Sequence, residues 1–204
     1  MICGTIVPNN YSMPWESVKC FLKLAEKYPI YYAQGPYLYE NRNIVFRYAK
    51  KYNQPILMVD SDIVFKMEDV EKIKDYLQSL DIITGVYCLD NMPYPAAILK
   101  KTENSYQFVK PPEELTEIDV CGAGFLGISL KVVKEMSEES FNNVCEKEVP
   151  HGEDISFCHR AKQMGFKIWC DPKILIGQVK NKIIYFKRYI KVRIRKGYLE
   201  FIDG

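Results

Sequence analysis

The chain has 204 residues, 48% apolar and 26% charged, with a net charge of +2. Those proportions are those of a soluble globular domain long enough to bury a core. They exclude a fibrous, disordered or membrane-spanning chain, because no apolar run approaches the length of a bilayer span and no signal-peptide pattern opens the sequence.

Ile2 to Val7 reads as a first strand ending at Pro8-Asn9-Asn10. Pro14 suits the first turn of a helix, and Trp15, Val18, Leu22 and Ala25 form an apolar stripe at helical spacing. A short strand over Ile30 to Ala33 is turned by Gly35-Pro36, and a second helix is predicted from about Leu38 to Tyr52. The run Ile56-Leu57-Met58-Val59 predicts a buried third strand. Met67 to Leu80 predicts a third helix with Val70, Ile73, Leu77 and Leu80 on its packed face, and Asp81 to Leu89 a fourth strand. Strands alternating with helices imply an α/β fold with a mostly parallel central sheet.

The pattern then changes. Ala96 to Lys100 and Ser105 to Lys110 look like a hairpin across Thr102-Glu103-Asn104. Ile118 to Cys121 reads as a further strand running into Gly122-Ala123-Gly124-Phe125, followed by a helix from about Leu130 to Met136. Ser137 to Pro150 reads as a loop, Glu153 to Met164 as a helix stopped by Gly165, and Lys167 to Cys170 as a strand. The expected organisation is one domain over 1–178, divided into a nucleotide-binding half (1–90) and an acceptor half (91–178) with a smaller antiparallel part. A basic extension over 179–204 follows.

The seven cysteines (Cys3, Cys20, Cys88, Cys121, Cys145, Cys158 and Cys170) are scattered and never spaced C-x-x-C. That spacing argues against a zinc site and a disulfide framework and for a reduced, cytoplasmic setting, although a hyperthermophilic origin would permit disulfides. Fifteen Tyr and ten Phe serve either core packing or stacking on sugars and bases.

Three segments carry chemistry. The buried third strand runs into Asp60-Ser61-Asp62. Charges there are costly unless paired or metal-bound, and residues i and i+2 of a strand share a face, so both carboxylates are expected to converge on one hard cation, Mg²⁺ or Mn²⁺. The plain alternative is a strand end whose Asp residues cap the next helix. Second, Glu153 and Asp154 follow His151-Gly152 and open a helix, where the macrodipole favours anions, so Asp154 is expected to be ionised and able to accept a proton. The plain alternative is an acidic first turn and nothing more. Third, Gly122 and Gly124 flank Ala123 after a strand, which points to a close backbone approach or a bulge. Ligands of open α/β sheets bind beyond the carboxyl ends of the strands, where Pro8, Asn9, Asp60 and Asp62 fall. Neither G-x-G-x-x-G nor the P-loop pattern occurs.

Together these segments resemble the GT-A fold glycosyltransferases, of the inverting, family-2-like kind. Asn41-Arg42-Asn43 is similar to that family's Arg-Asn pair on the second helix. Asp60-Ser61-Asp62 resembles its D-x-D motif, and Gly122-Ala123-Gly124-Phe125 its glycine loop beside the acceptor. Gly152-Glu153-Asp154-Ile155-Ser156-Phe157-Cys158-His159-Arg160 with Gly165-Phe166-Lys167-Ile168-Trp169 resembles its acidic motif, helix and next strand. The resemblance covers about 1–178. It implies a hexosyltransferase-type enzyme taking a UDP-, GDP- or dTDP-sugar and a glycan, protein or lipid-linked acceptor. By the same resemblance Asp62 binds Mn²⁺ or Mg²⁺ and Asp60 the ribose or the metal through water. Pro8, Asn9, Arg42 and Ser61 line the donor site, Gly122, Ala123 and Gly124 the acceptor side, and Glu153 and Asp154 are catalytic, with Asp154 the general base. Many members carry a His after the last core strand that completes the metal site. This chain has Ile176-Gly177-Gln178, and Gln178 offers only a neutral amide oxygen. Spacing assigns neither His151 nor His159 to that role.

Between Asp171 and Glu200 the chain holds nine Lys or Arg and no acid. Ile190 to Arg195 alternates like a strand, while Ile183, Phe186, Ile190 and Ile194 also fit a helical face. Residues 180–196 therefore read as a basic element with a solvated face or as a peripheral contact with an anionic inner membrane face. Nucleic acid is the less favoured partner. The rival enzyme is a haloacid-dehalogenase-like phosphohydrolase with Asp60 as nucleophile, and the rival non-enzyme a membrane- or nucleic-acid-binding protein acting through the tail.

Overall fold

The computed structural model describes residues 1–8, 12–89, 95–102, 105–146, 149–179, 183–185, 190–195 and 198–203. The predicted donor residue Asn9 and the hairpin tip at 103–104 lie outside them. The chain runs through β1 (Ile2–Pro8), α1 (Trp15–Ala25), β2 (Ile30–Gly35), α2 (Leu38–Tyr52), β3 (Ile56–Asp60), β4 (Ile63–Val64), α3 (Met67–Tyr76) and β5 (Ile82–Val86). Then come β6 (Ile98–Lys101), β7 (Tyr106–Phe108), β8 (Thr116–Ile118), β9 (Val120–Cys121), β10 (Phe125–Ile128) and α4 (Leu130–Glu135). β11 (Cys145–Glu146), β12 (Val149–Pro150), α5 (Glu153–Gln163), β13 (Ile168–Leu175) and β14 (Gly177–Val179) follow, and β15 (Ile183–Tyr185), β16 (Ile190–Arg195) and β17 (Tyr198–Asp203) close the order.

The central sheet has seven strands in the order β2-β1-β3-β10-β5-β13-β8. β1 pairs in parallel with β2 and β3, and β13 with β5, while β10 lies antiparallel between β3 and β5 and β8 antiparallel along β13. The sheet is therefore α/β and mostly unidirectional, as expected, but split by one reversed strand. That strand begins at Phe125, where the sequence predicts only the end of a glycine loop. Phe125-Leu126-Gly127-Ile128 is short and fully buried, and a four-residue apolar run has too little length to declare its period.

Alternation along the strands sends two cores to opposite faces of the sheet. Ile2, Ile56, Met58, Leu126 and Ile168 pack with Phe46 of α2, Val132 of α4 and Phe157 of α5. Cys3, Leu57, Val59, Ile83 and Phe125 pack with Phe21 and Leu24 of α1 and Val70 and Ile73 of α3. β3 thus has the buried pattern that its sequence predicts. Helix α2 has its predicted bounds, α3 buries Val70, Ile73 and Leu77 as predicted but ends at Tyr76, short of Leu80, and Gly165, at φ 84°, ends α5 as predicted.

Helix α1 does not match. Its buried residues are Ser17, Phe21 and Leu24, whereas Trp15 is 62% and Leu22 59% exposed. Two apolar stripes interleave on this helix, and the sheet takes the one containing Ser17.

β6 and β7 form the predicted hairpin, and β9 joins it in a three-stranded sheet. The predicted strand at Ile118–Cys121 is divided: β8 belongs to the central sheet and β9 to the small one. In the basic tail, β14 to β17 form an antiparallel meander that joins β4. Strand alternation over 190–195, and not a helical face, is the form adopted there. No helix among the described residues is long and apolar enough to cross a membrane.

Candidate functional site

Asp60 ends β3, and its parity with Ile56 and Met58 turns it to the face covered by α2 and α5. On that face stands Arg42, buried in the middle of α2. Its Nη1 and Nη2 donate to Asp60 Oδ1 and Oδ2 at 3.0 and 3.3 Å. Its Nε donates to Glu153 Oε1 at 3.2 Å and its Nη1 also to the Ala123 carbonyl at 3.2 Å. One guanidinium therefore ties α2, the end of β3, the glycine loop and the first turn of α5. Burial opposes the charge on Arg42, but Asp60 and Glu153 outweigh it and hold the side chain firmly protonated. Such a pair tolerates loss of neither partner, since an unpaired buried charge costs about 3–5 kcal/mol.

The flanking asparagines are structural. Asn41 Nδ2 donates to the Gly35 carbonyl at 3.0 Å. Buried Asn43 accepts from the Phe141 amide at 3.0 Å and donates to Asn142 at 2.7 Å. Phe141 stacks on Phe157 of α5 with centroids 4.4 Å apart. The Arg42 helix is thus fixed to the α5 helix by packing and by hydrogen bonds.

Glu153 and Asp154 open α5 after Gly152. Asp154 accepts from the Ile155 amide at 2.8 Å. Its carboxyl is nevertheless pushed up to about 6, first by burial and then by the neighbouring charge of Glu153, which outweigh Arg42 and that amide. Asp154 therefore stays mostly ionised at neutral pH, as the sequence predicts, but its carboxyl is raised and not lowered: desolvation outweighs the helix terminus.

Gly122 and Gly124 serve an internal neighbour. A Cβ on Gly122 would strike the Tyr87 hydroxyl, and one on Gly124 would lie 2.9 Å from it. Tyr87, which directly follows β5, is buried, and its oxygen accepts from the Gly124 amide at 3.0 Å. Sequence reasoning passed over Tyr87; its place at the carboxyl end of a fully buried strand was the available signal.

Asp62 takes a different course from Asp60. β3 stops at Asp60, Ser61 and Asp62 form a turn, and β4 enters the tail sheet. Gln178 Nε2 donates to Asp62 Oδ2 at 3.2 Å, and the Val179 amide to the Asp62 carbonyl at 2.7 Å. The predicted convergence of both carboxylates is not seen: Asp60 faces Arg42 and Asp62 faces Gln178. Among the described residues no three His, Cys, Asp or Glu side chains group as metal ligands. The donor set still suits a hard cation. Gln178 turns its Nε2 to the Asp62 carboxylate, and its Oε1 is buried without a hydrogen-bond partner among the described residues. Mg²⁺-type ions take one or two protein oxygens and complete their shell with phosphates and water. The histidines stand elsewhere: His151 lies edge-on to Tyr106, and His159 Nδ1 is 3.5 Å from Lys101 Nζ. Pro8, at the end of β1, pairs with Gly35. Cys3, Cys20, Cys88, Cys121, Cys158 and Cys170 are free thiols.

A crystal structure of A197 from STIV aligns over 97% of this chain and 100% of its own, with a TM-score of 0.68 and 16% identity. The two chains share a fold. A nucleotide-diphospho-sugar transferase described as putative, from Desulfovibrio desulfuricans G20, aligns over 84% of this chain and 79% of its own at TM-score 0.46 and 12% identity. The inositol-1-phosphate CTP transferase from T. maritima aligns over 85% and 68% at TM-score 0.43 and 11% identity. Likeness that slight carries no weight for activity. No family model and no curated protein matches the sequence.

Proposed function

We propose that this chain is a GT-A-type glycosyltransferase that moves a sugar from a nucleotide-diphosphate sugar to an acceptor hydroxyl with inversion. The observation that supports this most is the gathering of Asp60, Glu153 and the Gly122-Ala123-Gly124 loop by Arg42 at the carboxyl end of the sheet. Asp154 adjoins them with a carboxyl pushed up to about 6.

In this reading Asp154 takes the proton of the acceptor hydroxyl as that oxygen attacks the anomeric carbon. The bond from that carbon to the diphosphate oxygen breaks, and the nucleoside diphosphate leaves. A carboxylate of such basicity is mostly ionised at pH 7 and accepts a proton better than an ordinary one. Arg42 keeps Asp60 and Glu153 oriented before substrate arrives, so no reorganisation is needed during reaction. Asp62 and Gln178 Oε1 would hold Mn²⁺ or Mg²⁺, with Asp60 bound through water, and Pro8, Asn9 and Ser61 would border the donor. The ion, when bound, supplies Lewis-acid neutralisation of the leaving diphosphate. A glycan, protein or lipid-linked acceptor would approach along Gly122-Ala123-Gly124, and residues 180–196 would make any contact with an anionic membrane face.

Calorimetric titration with UDP-, GDP- and dTDP-sugars, with and without Mn²⁺, tests the reading on wild type and Asp62→Ala. The expected result is binding to one nucleotide class that needs the metal and is lost in the variant. Absence of binding by wild type to every nucleotide-sugar overturns it.

A further inference from the structure

Tyr87 is the buried polar side chain of this site that the transfer above leaves idle. It is 4% exposed. Its oxygen accepts from the Gly124 amide, and the Gly124 carbonyl in turn accepts from the Asp60 amide at 2.9 Å. Gly124 is therefore pinned between Tyr87 and Asp60. A phenol both accepts and donates, and the Tyr87 proton has no acceptor among the described residues. Leaving a buried donor unpaired is costly, so its acceptor is best sought in a ligand.

The place of that acceptor follows from the glycine. A Cβ on Gly124 would lie 2.9 Å from Tyr87 Oη and 3.3 Å from Asp60 Oδ2. The two oxygens thus flank one stretch of bare backbone and stand within about two hydrogen-bond lengths of each other. One is a donor with its proton unused. The other is a carboxylate oxygen that Arg42 Nη2 meets at 3.3 Å, which leaves it a second lone pair. A phosphate oxygen placed between them would satisfy Tyr87 but face the charge of Asp60. A carbonyl would do the same with its dipole. A hydroxyl satisfies both, accepting from one and donating to the other. Burial first, then the charges of Asp60 and Asp154, keep the Tyr87 phenol well above the usual tyrosine range, so it remains a donor at any physiological pH.

We infer that Tyr87 and Asp60 form a hydroxyl-reading subsite, in which Tyr87 donates to, and Asp60 accepts from, one hydroxyl of the bound nucleotide-sugar. The hydroxyl belongs either to the ribose or to the transferred sugar. The inference rests on the transferase reading. It makes Tyr87 a specificity-determining residue, because a ligand lacking that hydroxyl strands two buried partners at once.

The test pairs ligand deletion with side-chain deletion. Wild type and Tyr87→Phe are titrated with the UDP- or GDP-sugar that binds most tightly. Both are then titrated with its 2′-deoxy and 3′-deoxy ribose analogues and with its analogues lacking one sugar hydroxyl at a time. One deletion is expected to weaken wild-type binding about 10- to 100-fold, and the same deletion to cost Tyr87→Phe less than about threefold. The sensitive analogue tells ribose from transferred sugar. Gly124→Ala, which sets a methyl between the two oxygens, is expected to erase the same discrimination and serves if Tyr87→Phe does not fold. If no deletion costs wild type more than about threefold, or if Tyr87→Phe weakens every ligand equally, Tyr87 only props the loop or holds a water, and the subsite is refuted while the transferase reading stands. If wild type binds no nucleotide-sugar, both fall together.

Discussion

At a helix N-terminus a carboxylate is ordinarily favoured in its charged form, yet Asp154 is pushed up to about 6 by burial and by Glu153 beside it. In an unfolded chain an Asp titrates near about 3.9. Between those values the native state binds more protons than the unfolded one, so stability falls as pH rises through this window. The contribution is complete below about pH 4 and lost above about pH 6. Asp154→Asn carries no such group. It should be more stable than wild type at pH 7.5, by urea denaturation, with the advantage vanishing at pH 4. The same substitution should lower transfer by ~10²-fold or more. A variant that gains neutral-pH stability and loses activity is the signature of a base held in a costly environment. An unchanged stability difference between the two pH values would show that Asp154 is solvated as an ordinary surface acid. The order of motifs singled out Arg42, Asp60, Glu153 and Asp154, and the structure sets them side by side. What each would touch was not legible there. The i, i+2 rule put Asp60 and Asp62 together because it assumed one continuous strand, and the turn at Ser61-Asp62 breaks that assumption.

Among the elements, α1 shows where periodicity runs out. Trp15-Val18-Leu22-Ala25 and Ser17-Phe21-Leu24 both recur at helical spacing, and only the tertiary neighbours choose between them. Phe21 meets Phe65 edge-on at 5.9 Å and Leu24 is fully enclosed, so the second stripe is the packed one. Ser17 disguises it, being a buried hydroxyl that has no hydrogen-bond partner among the described residues and opens the face. Truncating Leu24 to Ala should cost about 2–5 kcal/mol, whereas Leu22→Ala should stay within about 0.5 kcal/mol. Equal losses in thermal or urea unfolding would return the helix to the predicted phase. Helix α2 was legible to its ends because Gly35-Pro36 turns the chain before it and Asn53, left-handed at φ 52°, stops it. The tail was ambiguous because its apolar residues fit two periods, and pairing to β14 selects the extended one.

At the scale of the molecule, the sheet is two parallel blocks joined by β10. Alternating strands and helices predicted a largely parallel sheet, but not the antiparallel β10 that stands between β3 and β5. β10 contributes the ladder to β3 on one side and to β5 on the other, and its Gly127 lets Ile73 of α3 approach to 2.5 Å of where a Cβ would stand. A fragment of residues 1–90 holds β1, β2, β3 and β5 but leaves β3 and β5 with open edges facing a strand-wide gap. It should therefore show no cooperative urea transition by circular dichroism, in contrast to the whole chain. A sharp transition in the fragment would mean that the first block closes by itself. The same keystone sets an order of events during synthesis. Everything up to residue 124 must wait, partly assembled and with apolar edges uncovered, until the ribosome has delivered Phe125 to Ile128 and threaded them between strands made long before. For this chain the interval most in need of a chaperone is thus the translation of the segment separating β5 from β10.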